Sequence, residues 1–274
     1  MDYTKIEQQG SNLMLKEIKN LILPQVLDNG QSFRWSGDEN NFKGIAHGRR
    51  MELSVENGDL ILKDVPLKEF EETWKDYFDL NRSYDTLRQH YTQDVTLEKA
   101  TAHSPGLRIM KQEPWETLVS FILSQNSNIP RIKGMIARLC EGYGEALPCG
   151  GYAFPKPEAL VDADLTNIRS GYRADYIRDA ARRAADGRLD FNKLSNTTSD
   201  ELRQALLEIH GVGPKVADCV LLFGFGRVER FPLDVWMKRV MAEYYPNGFP
   251  VELADTAGIA QQFLFHFVRT AKDK

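Results

Sequence analysis

The pattern of apolar and polar positions changes character once along the chain. From Asn12 to Val65 it is short and alternating. Met51, Leu53 and Val55 are interleaved with Glu52 and Ser54, the period-2 signature of a half-buried strand. Asn57-Gly58, a two-residue hairpin signal, separates that run from Leu60-Ile61-Leu62. Asn29-Gly30 marks a second turn, ahead of Gln31-Ser32-Phe33-Arg34-Trp35. This stretch predicts antiparallel hairpins. From Leu67 onward the period lengthens. Leu118, Phe121, Ile122 and Gln125 fall at i, i+3, i+4 and i+7, and Ile129, Ile132, Ile136 and Leu139 follow a similar spacing. Arg173 to Asp186 reads as a charged helix with Ala and Ile on one face, and a Gly- and Pro-rich loop from Leu147 to Pro157 separates helical blocks. The expected fold is α+β. Residues 1–98 form an N-terminal antiparallel sheet domain with a trailing helix. Residues 99–274 form a body of roughly ten helices, closed back toward the first domain by the C-terminal helix.

Composition narrows the class. Of 274 residues 42% are hydrophobic and 10% aromatic, enough for a packed core and too much for disorder. No apolar run is long enough to span a membrane, and the opening MDYTKIEQQGSNLM lacks a basic flank and apolar segment of the secretory kind. Three scattered cysteines, Cys140, Cys149 and Cys219, make neither a disulfide framework nor a thiolate metal site. They read as reduced thiols in a cytoplasmic protein.

A net charge of −4 argues, taken alone, against a nucleic-acid partner. The charge is uneven, however. The first hundred residues carry 13 basic and 18 acidic side chains, the remainder 22 and 21. The acidity belongs to the strand-rich part.

Residues 199–240 carry the chemistry. Ser199 or Asp200 is the expected N-cap of a helix over Glu201–Ile209. His210-Gly211-Val212-Gly213-Pro214-Lys215 then forms a tight turn into a second helix through Phe223, with Pro214 suited to its first turn. The free N–H groups of such a turn and the helix N-terminus converge on one point, which favours a phosphate. Gly-x-Gly turns also join helices in many proteins without any ligand. Lys215 sharpens the reading. A cation is opposed by the helix dipole in that first turn, which favours the neutral, nucleophilic amine. A solvated surface lysine is the alternative. Asp234, in Phe231-Pro232-Leu233-Asp234-Val235-Trp236, stands where a further helix begins, as an N-cap, a catalytic carboxylate or both.

The run from Leu206 to Cys219, LLEIHGVGPKVADC, followed by Pro232-Leu233-Asp234-Val235, resembles the helix–hairpin–helix/Gly-Pro-Asp signature of base-excision DNA glycosylases. Within that superfamily it most resembles the 8-oxoguanine DNA glycosylase/AP lyases. Asn29–Trp35, Ser124–Ile132, Gly171–Arg173 and Gly258–Phe265 resemble other blocks of that family, in the same order along nearly the whole chain.

The resemblance implies a TBP-like sheet domain and assigns roles residue by residue. Lys215 takes the position of the nucleophile that attacks C1′ and forms a Schiff base, after which β-elimination nicks the strand. Asp234 takes that of the carboxylate that orients it and stabilises positive charge on the sugar. The target base leaves the duplex. Gly30 matches the carbonyl that meets N7–H of 8-oxoguanine, a hydrogen that guanine lacks, and Gln261 matches the reader of the pairing edge. Phe265 and Cys219 match the residues that sandwich the purine. Without the resemblance, each of these reads as core packing.

Asn126 matches the residue that fills the gap left in the duplex. Arg131, Tyr172 and Arg173 match the surroundings of the orphaned partner base, normally cytosine. Gly211 and Gly213 carry the phosphate-binding hairpin. No cofactor is required and no catalytic metal is implied. A structural cation held by hairpin carbonyls at the DNA phosphate is left open. The implied partner is double-stranded DNA bearing 8-oxoguanine opposite cytosine, bound by a monomer at the bacterial nucleoid, with no membrane involved. Trp236 stands where animal and yeast members carry a histidine, and Ser127 where others carry an asparagine. The absence of any cysteine after Cys219 sets the chain apart from iron–sulfur relatives. A glycosylase for alkylated purines and a non-catalytic helix–hairpin–helix DNA-binding protein remain the alternatives.

Overall fold

The computed structural model describes residues 1–271. Six strands build one antiparallel sheet: β1 (Lys5–Gln9), β2 (Asn12–Lys16), β3 (Trp35–Gly37), β4 (Asn41–Ala46), β5 (Arg49–Glu56) and β6 (Asp59–Leu62), in the order β1-β2-β6-β5-β4-β3. Alternation fixes the register. Phe42 lies opposite Leu53, and Leu53 opposite Leu62, so one face is continuously apolar. That face is covered by a short helix, α1 (Leu23–Leu27), and by a helical run over residues 67–77 that widens to π geometry across Phe70–Trp74. Trp35 anchors the layer and donates from Nε1 to the Tyr77 hydroxyl at 2.9 Å.

The helical body contains α2 (Tyr84–Tyr91), α3 (Val95–His103), α4 (Pro114–Ser124), α5 (Ile129–Tyr143), α6 (Arg173–Ala185), α7 (Ser199–Leu207), α8 (Pro214–Phe225), α9 (Val235–Tyr244) and α10 (Ala257–Thr270), with several one-turn segments between them. Its core is separate from that beneath the sheet, and core membership changes between Leu80 and Tyr84, apart from Phe33, which packs into the helical core, and Met110. The two cores meet at the extended segment 107–112. Leu107 and Ile109 belong to the helical core, whereas Met110 points into the sheet core. The amides of this strap are held one by one, Ile109 by the Tyr84 hydroxyl, Met110 by Gln31 Oε1, Lys111 by the Tyr77 carbonyl and Gln112 by the Phe223 carbonyl. Arg108, fully buried, donates to Asp2 Oδ2 at 2.6 Å and to the carbonyls of Phe78, Asp79 and Arg82, with its guanidinium 4.1 Å above the Tyr84 ring.

Three local expectations are corrected. The cap of α7 is Thr198, not Ser199 or Asp200. Its hydroxyl accepts from Glu201 N–H at 3.2 Å while the Glu201 carboxylate accepts from Thr198 N–H at 2.9 Å, a complete capping box. The helix accordingly ends at Leu207 rather than Ile209. α8 runs on to Phe225, where Gly226 terminates it in a left-handed conformation. Finally, the strand region contains α1 and is preceded by the polar edge strand β1. No helix among the described residues is long and apolar enough to cross a membrane.

Candidate active site

The turn before β3 is built for rigidity. Gln31 is buried, and its side chain donates to the carbonyls of Val26 and Arg108 at 2.9 and 2.7 Å and accepts from Met110 N–H at 2.8 Å. Gln112 caps the Gln31 carbonyl at 2.7 Å. This network presents Gly30, at φ +91°, to the helical body. A Cβ there would lie 3.3 Å from Ile129 Cδ1, so any side chain at residue 30 is both strained and crowded.

Residues far apart in the chain converge on one slot. A cavity of about 50 Å³ is lined by Gly30, Lys215, Cys219, Asp234, Gln261 and Phe265. Lys215 sits in the first turn of α8 and reaches back over the Phe121 ring, with Nζ 4.9 Å from its centroid and 3.4 Å from Ser124 Oγ. Asp234 is the N-cap of α9, its carboxylate accepting from Met237 N–H at 2.8 Å. Among the described residues no ion pair joins it to Lys215. The two groups face a common space and are not tied together. Burial pushes the Cys219 thiol up to about 11, an effect that Lys215 partly offsets. The thiol therefore stays protonated at neutral pH and serves as a wall of the slot. The slot opens on a wider cavity of about 310 Å³ that adds Ser127, Trp236 and Arg269.

The hairpin between α7 and α8 exposes backbone. Gly211 has φ +79°, and a Cβ there would overlap the Tyr176 ring at 2.2 Å. At Gly213, the N-cap of α8, a Cβ would meet open space. Gly213 shares a cavity of about 480 Å³ with Asn126, Lys215, Asp234 and Trp236. The start of α8, which has no side-chain cap, thus borders the same cavity as the amine, and a free helix N-terminus is a position suited to an anion.

The remaining candidates separate. Asn126 is exposed at φ +47° and donates from Nδ2 to the Tyr172 hydroxyl at 3.1 Å. Arg131 is exposed in the first turn of α5, away from the slot. Arg173 is buried, donating to the carbonyls of Gln125, Asn126 and Ser170 with its guanidinium 4.5 Å over Tyr172. Its donors hold the Asn126 turn and do not face open space.

The slot also contains residues that sequence reasoning missed. Phe223 stacks on Phe121 with centroids 5.5 Å apart and closes the slot from behind. Gln262 lines it beside Gln261. Outside the slot, on the wider cavity, Arg269 stands one turn beyond Phe265, its guanidinium 5.0 Å over that ring, a helical i, i+4 relation that the sequence does carry.

α10 is docked through His266, next to Phe265. His266 Nδ1 pairs with Ser104 Oγ at 2.8 Å. Burial, aided by His103 and Arg269, pushes its pKa down to about 4 from 6.5. Between those values the unfolded chain binds the proton and the folded chain does not. The stability this residue supports is therefore present above pH 6.5 and lost as pH falls toward 4. The urea midpoint of the wild type is expected to drop more steeply across that window than that of His266→Gln. Equal slopes would contradict the assignment.

Comparison with known proteins agrees with this geometry. Residues 13–118 match the family model of the 8-oxoguanine DNA glycosylase N-terminal domain, and residues 119–248 that of the HhH-GPD superfamily base excision DNA repair proteins. The N-glycosylase/DNA lyase of Saccharomyces cerevisiae is 34% identical over 257 residues, covering 82% of this chain and 68% of the yeast protein. The structure of Clostridium acetobutylicum 8-oxoguanine glycosylase/lyase, solved with double-stranded DNA containing cytosine opposite 8-oxoguanine, superimposes with a TM-score of 0.93 at 32% identity, covering 99% of this chain and 100% of that one. A DNA complex of MBOgg1 gives a TM-score of 0.92 at 38% identity, with the same coverage. The chain belongs to the 8-oxoguanine DNA glycosylases of the HhH-GPD superfamily.

Proposed function

We propose that this protein excises 8-oxoguanine from duplex DNA and then cleaves the strand as an AP lyase, with Lys215 as the nucleophile. The observation that carries the assignment to residues is the convergence of Gly30, Lys215, Cys219, Asp234, Gln261 and Phe265 on one slot. The extruded base enters between Phe265 and Cys219. The neutral Lys215 amine bonds to C1′ as the C1′–N9 bond breaks, and that electron pair leaves with the base. Proton loss from nitrogen and opening of the sugar ring give a Schiff base. Removal of a C2′ proton then expels the 3′ oxygen and nicks the strand. Asp234 stabilises positive charge at the sugar without being neutralised by an ion pair in advance. The Gly30 carbonyl rewards N7–H, and guanine would leave it an unpaired acceptor.

On the opposite strand, Arg131 is the exposed arginine that meets the orphaned cytosine. Arg173 acts through the backbone of Gln125 and Asn126 and is a positioning residue. No cofactor enters the reaction, and a cation at the hairpin carbonyls would serve only the DNA phosphate. The protein acts on DNA as a monomer at the bacterial nucleoid.

Borohydride trapping tests the assignment with duplexes carrying 8-oxoguanine, an alkylated purine or guanine. An adduct with 8-oxoguanine alone is expected. An adduct preferring the alkylated purine would favour a different lesion, and none at all would sink the lyase assignment. Exchanging the opposite cytosine should slow excision in the wild type and leave Arg131→Ala little affected.

A further inference from the structure

Two consecutive glutamines of α10 line the slot, and both are more than nine-tenths buried. Among the described residues, Gln261 Oε1 and Gln262 Nε2 each lack a hydrogen-bond partner. Leaving a buried amide atom unpaired is costly, so such atoms are rare unless a ligand completes them. The unpaired atoms differ in kind, one being an acceptor and the other a donor. In kind, an acceptor and a donor match the pairing edge of a guanine-type base, which presents N1–H next to the O6 acceptor. An adenine-type base places an amino donor at C6 instead.

We infer that Gln262 is a second base-reading residue, whose amide donates to O6 of the extruded purine and restricts the slot to bases with a C6 carbonyl. The inference rests on the glycosylase reading above. Gly30 lies in the same slot and addresses N7–H. O6 stands between N7 and N1 on the ring, so a donor there completes an edge that Gly30 and Gln261 leave open. Arg269 is the other polar newcomer, but it lines only the wider outer cavity, and the base slot itself excludes it.

The test uses single-turnover base release from duplexes carrying 8-oxoguanine, 2-amino-8-oxopurine, which lacks both O6 and N1–H, or 8-oxoadenine. The wild type is expected to lose at least about 10- to 100-fold on either analogue relative to 8-oxoguanine, the range of one hydrogen bond to a buried partner, because O6 and N1–H are lost together, and the Gln262 variant isolates the O6 share. Gln262→Met should lose a similar factor on 8-oxoguanine and little more on 2-amino-8-oxopurine. Its binding to a duplex with an abasic-site analogue should be unchanged, which shows that the variant is folded. Wild-type rates that are equal on 8-oxoguanine and 2-amino-8-oxopurine would overturn the inference, and that result needs no variant. So would a Gln262→Met penalty that is the same on both. Failure of the wild type to release 8-oxoguanine at all would instead overturn the glycosylase reading beneath it.

Discussion

Lys215→Gln is expected to abolish the borohydride-trapped adduct and to lower base release by at least about 10⁴-fold, as removal of a covalent nucleophile does elsewhere. Binding to an 8-oxoguanine duplex should survive within about tenfold, because the contact proposed for the hairpin is made by backbone amides and does not depend on this side chain. Glutamine retains a donor that can meet Ser124 Oγ, the wild-type contact of Nζ, so the comparison isolates nucleophilicity from packing. Release at more than a few per cent of the wild-type rate would mean that water performs the displacement and that Lys215 serves only the lyase step.

The second large effect concerns stability. Asp2→Ala should cost about 3–5 kcal/mol, the usual consequence of removing one partner of a buried ion pair. It strands the Arg108 guanidinium, which has no solvent exposure, and also removes the acceptor for Tyr84 N–H at 3.0 Å. Asp2→Asn keeps one acceptor oxygen and should cost less. Urea denaturation of the three proteins provides the measurement. The assignment of Arg108 as a charge that depends on Asp2 fails if Asp2→Ala costs less than about 1 kcal/mol. Adding Arg108→Met to Asp2→Ala should recover part of the loss, since the uncompensated charge is then gone.

Much of the site was legible because its chemistry is written in residue type and spacing. Lys215 and Cys219 lie four apart on one helix, and Asp234 stands at a helix start. Gly30 and Phe265, however, are remote from both in the chain, and no spacing rule brings them together. Only the family blocks linked them before the fold was known. What could not be read is what depends on burial. The resemblance gives Arg173 to the surroundings of the partner base, yet its donors are engaged by three backbone carbonyls. Gln262 looks like a plain neighbour of Gln261 until its Nε2 is found buried and without a partner.

Local ambiguity had physical causes as well. Thr198, Ser199 and Asp200 are all competent caps, and only the three-residue distance from Thr198 to Glu201 completes the box. β1 escaped notice because Lys5–Gln9 is an edge strand with no alternating apolar face. The acidic first hundred residues mislead in a similar way. Net charge does not register contacts made by backbone amides, the kind proposed for Gly211 and Gly213.

The strap over residues 107–112 sets how this molecule comes apart. Leu107 and Ile109 pack into one core and Met110 into the other, and its amides are anchored to both sides. Neither core can therefore melt without stripping partners from the other. Although the sheet and the helices look like two units, chemical denaturation should follow one cooperative transition. Fluorescence of Trp35 and Trp74 in the sheet core, read in a protein with Trp115 and Trp236 replaced by Phe, and far-ultraviolet dichroism of the helices should then report the same midpoint.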